Sequence, residues 1–366
     1  MKKFYLLGII ASAALAMTSC SSDEVTENGG ANSQAIEFGT YVGRDAQVRS
    51  ANAITSIGDL QGKGFGVFAF YTETADFVAG NDATPNFMNN QKVEYTSGAW
   101  TYSPLKYWPN NTGDKVSFFA YAPYDASKTW SADKIAYTVE NDVKNQVDLL
   151  FAPAQANKTK QGVNDKITFA FKHALARIGF SVAYAADELT AADERIDADT
   201  KITINKIVLR KKAATTETEG VFYKTGNLTL TADNVDAAWA DKAGEQAFTL
   251  TAANNFDANE LNSTTAKISL LNKADSYVMI IPQSAEFEVY VEYTVTTTDA
   301  SLTGNSGKSE ITNKITTPVN AINFEANKSY TLNLVLGMTS VKVDATFTDW
   351  DTTTPATDVD VPANRN

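Results

Sequence analysis

The sequence runs to 366 residues with a formal net charge of −12, one cysteine and one histidine. One cysteine rules out an intramolecular disulfide, and one cysteine with one histidine is too few for the usual zinc sites. The acidic balance argues against nucleic acid as a partner, because such binding rests on neutralising phosphates.

Lys2 and Lys3 precede an uncharged apolar run, Phe4 to Ala16. It is shorter than the roughly 20 apolar residues of a permanent span and reads as a secretory signal over 1–19. Leu15-Ala16-Met17-Thr18-Ser19-Cys20 resembles a bacterial lipobox, with Met17 in place of the commoner leucine. Cys20 is therefore the expected lipidation site. Ser21-Ser22-Asp23-Glu24 resembles the signal that sends lipoproteins of Bacteroidetes to the outer face of the outer membrane. Residues 20–34 form a polar, glycine-bearing tether.

The remaining chain is rich in aromatic and β-branched residues, and the expected fold class is all-β. Ile36, Phe38 and Thr40 share one face of a first strand. Gly43 to Leu60 is polar and loop-like. Phe65 to Tyr71 is apolar on both faces, which marks a strand buried from both sides. The glycines at 62, 64 and 66 lack phosphate-loop spacing and read as turn chemistry. Strands follow at 92–95, 100–102, 105–108 and 116–121. Ile135, Tyr137 and Val139 alternate, and Val147 to Phe151 forms a run ending at Pro153. These elements predict a first β-sandwich domain over 35–157, with the polar stretch 157–166 as the boundary.

A second β-sandwich domain with a polar tail is expected over 165–366. Phe169, Phe171 and His173 share one parity, whereas Ile178, Phe180, Val182 and Tyr184 share the other, so a break lies between them. Further strands are expected at 202–209, 222–230, 248–250, 268–270, 277–281 and 289–295, and Arg210-Lys211-Lys212 is a strand-end turn. Ala300 to Gly307 is a loop. Two late strands carry Tyr330 to Leu336 and Val341 to Phe347. The Thr-, Asp- and Pro-rich tail after Trp350 has only Val359 and Val361 as apolar pegs.

No catalytic apparatus stands out. A Ser-His-Asp triad would need His173, which shares a face with two phenylalanines and reads as a core residue; no GxSxG elbow occurs. Asp193, Glu194, Asp197 and Asp199 lack the EF-hand pattern and read as a solvated loop. Trp100, Tyr102, Tyr107 and Trp108 could stack on sugar rings, but core packing is the favoured reading. No cofactor, metal or enzymatic activity is expected.

Six stretches, taken in order, resemble the fimbrillin family of Bacteroidetes, the subunits of type V pili. They are Phe65 to Ala69, Trp100 to Trp108, Val116 to Pro123, Asp148 to Ala152, Phe169 to Ala176 and Ser329 to Leu334. The resemblance implies two tandem transthyretin-like β-sandwich domains and export as an outer-membrane lipoprotein precursor. It implies that an arginine-specific protease removes the lipidated N-terminus with the first strand, and that a neighbouring subunit's strand fills the groove so opened. The candidate processing sites are Arg49 in Gln47-Val48-Arg49-Ser50 and Arg44 in Gly43-Arg44-Asp45. The implied partners are other fimbrial subunits, the outer membrane through the lipid anchor, and a host or bacterial surface ligand. Stalk, tip and anchor roles stay open. The competing reading is a surface glycan-binding lipoprotein that does not polymerise.

Overall fold

A computed structural model describes residues 34–42, 53–80, 84–162, 164–184, 198–231, 237–256, 259–262, 264–265, 267–270, 277–337, 341–350 and 357–359. The chain forms β1 (Phe38–Val42), α1 (Ile57–Lys63), β2 (Phe65–Tyr71), β3 (Met88–Thr96), β4 (Ala99–Thr101), β5 (Val116–Ala122), β6 (Lys134–Thr138), β7 (Leu150–Lys158) and β8 (Ile167–His173). It continues through β9 (Ala176–Tyr184), β10 (Thr200–Lys211), β11 (Phe222–Thr229), β12 (Ala238–Gln246), β13 (Phe248–Thr251), β14 (Glu260–Leu261), β15 (Lys267–Ser269) and β16 (Val278–Ile280). The last strands are β17 (Gln283–Thr298), β18 (Lys308–Phe324), β19 (Lys328–Leu336), β20 (Val341–Asp349) and β21 (Thr357–Val359).

The first sheet runs in the order β1-β8-β7-β5-β2-β3-β4. Its central strands β2 and β5 are almost wholly buried, as the unbroken apolar runs predict. Phe65, Val67, Phe118 and Ala120 face one core with Phe38, Trp108, Phe169 and Phe171. Phe68, Phe70, Phe119 and Tyr121 face the opposite way, into a larger core shared with the later sheets. Two glycines let these layers close. Gly64 ends α1 at φ +66, where a Cβ would lie 2.7 Å from the Val93 carbonyl oxygen; at Gly66 it would lie 2.4 Å from the Tyr121 ring.

The later strands make three sheets. One runs β13-β10-β17-β18 with β14 on β10, one β15-β9-β19-β20-β21 with β16 on β9, and one β12-β11-β6. The expected boundary at 157–166 falls inside the first sheet. β7 extends through Pro153 to Lys158, the register shifting along its pairing with β5, and β8 bonds in parallel to β1. The chain instead leaves the first sheet at Ala174-Leu175, between β8 and β9, where the sequence parity changes. β6, expected in the first sandwich, pairs with β11.

Three elements had little sequence signal. α1 sits in the stretch expected to be a loop, started by Ser56 and Asp59 in a reciprocal capping box. β12 is mostly exposed, and β18 is exposed over its first half. The stretch 105–108, expected as a strand, contributes only an isolated bridge, Ala35 to Tyr107.

Candidate functional site

Alternation puts Ile36, Phe38 and Val42 inward, and they are 1%, 2% and 8% exposed. Tyr41, on the opposite face, points to solvent. The Phe38 ring lies 5.3–6.1 Å from the rings of Tyr102, Phe169, Phe118 and Phe65. An aromatic-walled pocket for one phenylalanine is thus built from three other strands and the segment after β4.

The backbone of this first segment is bonded on both sides. β1 pairs in parallel with β8, from Phe38 opposite Ile167 to Val42 opposite Phe171. On its other side Ile36 N donates to the Lys106 carbonyl at 2.9 Å, and Trp108 N donates to the Gln34 carbonyl at 3.0 Å. The Tyr102 hydroxyl donates to the Ile36 carbonyl at 2.8 Å, and burial pushes its phenol pKa upward. β1 therefore fills a slot between β8 and the 102–108 segment, closing a curl in the first sheet. The aromatic cluster expected to be core is the wall of this slot: Trp108 is buried, Tyr102 bonds to the Ile36 carbonyl, and Trp100 packs edge-on against Phe65 with ring centroids 4.9 Å apart.

The fit has a flaw. Among the described residues, the buried Thr40 hydroxyl has no hydrogen-bond partner, a defect that costs about 1–3 kcal/mol in a desolvated site.

The residues from Ala53 onward are held by their own contacts. Ile54 is fully buried and its N–H donates to Asp148 at 3.0 Å. The same carboxylate lies 2.9 Å from Nδ1 of His173, the last residue of β8. The imidazole stacks on Trp350 at 4.0 Å, and Arg177 lies 4.5 Å from the same indole. Asp59 closes this segment by accepting from Thr55 and Ser56, hydrogen bonds that help hold its carboxyl below the usual range despite desolvation.

His173 and Asp148 are 1% and 0% exposed. With the ring faced by indole and the carboxylate engaged by a backbone amide, the pair positions three chain segments and offers no access to a substrate. His173→Gln is expected to lower stability by about 1–3 kcal/mol, because Asp148 loses a partner in a buried site. Chemical denaturation of the variant checks this; an unchanged midpoint would show that the pair contributes nothing.

Cys20, Arg44 and Arg49 lie outside the described residues, as do Asp193, Glu194 and Asp197. The described residues still place the ends of the segment carrying both arginines. It leaves β1 at Val42, beside Phe171, and returns at Ala53, next to the residue bonded to Asp148. Among the described residues no group of three or more His, Cys, Asp or Glu could hold a metal ion.

Comparison with known proteins agrees with this architecture. The fimbrillin-like family model matches residues 56–350. Fimbrium subunit Fim1C of Phocaeicola vulgatus is 26% identical, over 92% of this chain and 94% of that protein. A crystal structure of a fimbrial protein from Bacteroides vulgatus superposes with a TM-score of 0.63 at 20% identity, covering 87% of this chain and all of the other. A putative cell adhesion protein from Bacteroides uniformis gives a TM-score of 0.46 at 17% identity, covering 87% and 99%.

Proposed function

The chain belongs to the fimbrillin-like family, and from that premise we propose that it is made as a surface lipoprotein precursor and assembled by proteolysis-triggered strand exchange. A structural role in a cell-surface fimbrium, together with other fimbrial subunits, comes with the family. The finer reading gives Cys20 the lipid anchor in the outer membrane and gives Arg49, or Arg44, the cut. Two β-sandwich bodies of transthyretin type meet at Ala174-Leu175, where the chain leaves the first sheet. Adhesion to a host or bacterial surface is the service of the finished fibre.

The observation that carries this reading is the docking of β1. It is bonded along one side to β8, the residues just before it, Gln34 and Ile36, are tied to the 102–108 segment, and Ile36, Phe38 and Val42 are inserted into the core. A strand held this way is β-augmentation within one chain, and the same slot accepts a strand from another. The unpartnered Thr40 hydroxyl favours the exchange, since an incoming strand with an apolar residue there avoids the desolvation cost. The tail is the candidate donor: Thr357–Val359 bonds to β20 through only three residue pairs at the end of its sheet. Head-to-tail use of one slot and one donor is a heterologous contact, which grows an open filament.

The test is the N-terminus of polymer stripped from cells. It is expected to begin at Ser50, or at Asp45 if Arg44 is cut, and to run as a detergent-resistant ladder. Polymer that retains an acylated Cys20 would overturn the processing step.

A further inference from the structure

We propose that the cleft along the outer edge of β6 binds a neutral sugar, its ring packed on Val147 and its hydroxyls bonded to Thr138 and Glu140. The cleft offers about 400 Å³ between β6, the 123–129 segment and the 145–149 segment, within the range of small-molecule sites. A second hollow of about 310 Å³ adjoins it across Thr129 and Ala136, which line both, so the trough has length for more than one ring.

The pairing of β6 decides which backbone groups face the cleft. Val139 N donates to the Lys224 carbonyl at 2.8 Å, and Leu230 N donates to the Asp133 carbonyl at 2.7 Å. Odd-numbered residues of β6 therefore bond to β11, and even-numbered ones turn their N–H and C=O outward. Two outward carbonyls are taken. Lys128 Nζ donates to that of Ala136 at 2.8 Å, and the buried Gln146 amide donates to that of Glu140 at 3.0 Å. Among the described residues, Thr138 between them keeps its outward N–H and C=O open.

This pattern selects against a strand. An incoming chain could exchange bonds with Thr138 alone, because the carbonyls on both sides already have donors, and strand addition draws its affinity from a run of main-chain bonds. Ions fare no better. Asp125 and Glu140 oppose an anion, and Lys128, lying 5.5 Å from the centre of the Tyr137 ring, opposes a cation. A sugar hydroxyl suits the mixture, since one group both donates and accepts. It can donate to the Thr138 carbonyl or the Glu140 carboxylate and accept from the Thr138 N–H. The apolar face of a sugar has a matching wall. Val147 is 39% exposed although Asp148 and Leu149 beside it are buried, and Pro123 lines the same cleft.

The wall is held before any ligand arrives. The Tyr137 hydroxyl donates to the Val147 carbonyl, and the Gln146 side chain accepts from Met279 N at 2.7 Å. A site fixed in this way spends little of its affinity on ordering. A shallow polar cleft of this size binds weakly in a single chain. Repeated along a fibre it would gain by multivalency, and only that use of the cleft in adhesion rests on the fimbrial reading.

The experiment is saturation-transfer NMR on the full chain with Cys20→Ser, which removes the expected lipid anchor. The probes are glucose, galactose, mannose, N-acetylglucosamine, lactose and maltose, with glucuronate, glucosamine and tetra-alanine as competitors of other chemistry. At least one neutral sugar is expected to bind, and to bind more tightly than all three competitors. Glu140→Gln, an exposed position, is expected to weaken that binding about tenfold by replacing a charged acceptor with a neutral one. Thr138→Pro is expected to abolish it. That substitution deletes the outward N–H and spares the bonds to β11, an arrangement an edge strand tolerates. Circular dichroism checks the fold, and Glu140→Gln decides the matter if the proline variant does not fold. Transfer to no neutral sugar, tighter binding of a charged sugar or of tetra-alanine, or binding unchanged by Glu140→Gln overturns the proposal. The readout needs neither cleavage nor strand exchange, so its failure leaves the fimbrial reading untouched.

Discussion

Phe38→Ala is expected to destabilise the precursor by about 3–5 kcal/mol, the usual cost of removing a fully buried aromatic ring. The ring is 2% exposed and has four aromatic neighbours within about 6 Å, three fixed by their own strands and Tyr102 by its hydroxyl bonds, so they cannot collapse into the space. The comparison is Tyr41→Ala, three residues on and 54% exposed, where the expected change is within about 0.5 kcal/mol. Urea unfolding of both variants, followed by tryptophan fluorescence, separates them; Trp108 lines the same core. If Phe38→Ala unfolds within 1 kcal/mol of the parent, β1 is not the strand that closes this core. A second consequence concerns exchange. A resident strand weakened by that amount is easier to displace, so a peptide competing for the slot should bind Phe38→Ala faster than the parent chain.

The alternation of Ile36, Phe38 and Thr40 was enough to read the first strand, because a half-buried strand writes its two faces into the sequence at period two. The location of its slot was not readable. β8 and the 102–108 segment are far from β1 in sequence, and parallel pairing with a distant strand leaves no local signature. The same limit applies to the polar stretch 157–166, which joins two strands of the first sheet. Residues 157–166 are polar because they turn at the surface between β7 and β8, and a surface turn has the composition of a linker. The real change of sheet, at Ala174-Leu175, is buried and apolar, so composition hides it; only the shift of parity between Phe171 and Ile178 records it. β18 escaped notice because its exposed half, Lys308 to Thr316, is mostly polar with Ile311 and Ile315 as its apolar residues, and its buried positions begin only at Val319. α1 escaped because it is short and carries two glycines, so its capping box is the one signal it gives. At His173 the residue pattern gave the burial. The Asp148, Ile54 and Trp350 contacts around it come from three distant segments that only the fold brings together.

A precursor carrying both Arg44→Ala and Arg49→Ala is expected to reach the cell surface, stay lipidated and fail to polymerise. While the chain is uncut, β1 is tethered at the mouth of its own slot. A short covalent link of this kind gives an effective concentration in the millimolar range, which an external strand must exceed. The slot does not stand empty either. Its vacancy would expose Ile36-, Phe38- and Val42-sized apolar surface, each contact contributing about 1.5–3 kcal/mol when fully buried. Cutting between Val42 and Ala53 changes the competition without disturbing the body. Downstream, the chain from Ala53 is held by buried Ile54, its amide bond to Asp148 and the Ser56–Asp59 cap of α1. Upstream, the segment 34–42 would keep only the parallel pairing of β1 with β8, the bonds of Gln34 and Ile36 to the 102–108 segment and its side-chain burial. It can then leave as a separate peptide and dilute away, whereas a neighbour's strand remains tethered to a growing polymer. On the proposed reading, the asymmetry between a firmly held downstream segment and a replaceable upstream strand would make the cut directional. Whole-cell lysates run without boiling, beside negative-stain images, give the readout: a ladder and filaments for the parent chain, a monomer band and bare cells for the double variant. Filaments of unchanged subunit spacing in the variant would show that β1 is not the gate, and strand exchange at this slot would have to be abandoned as the route to assembly.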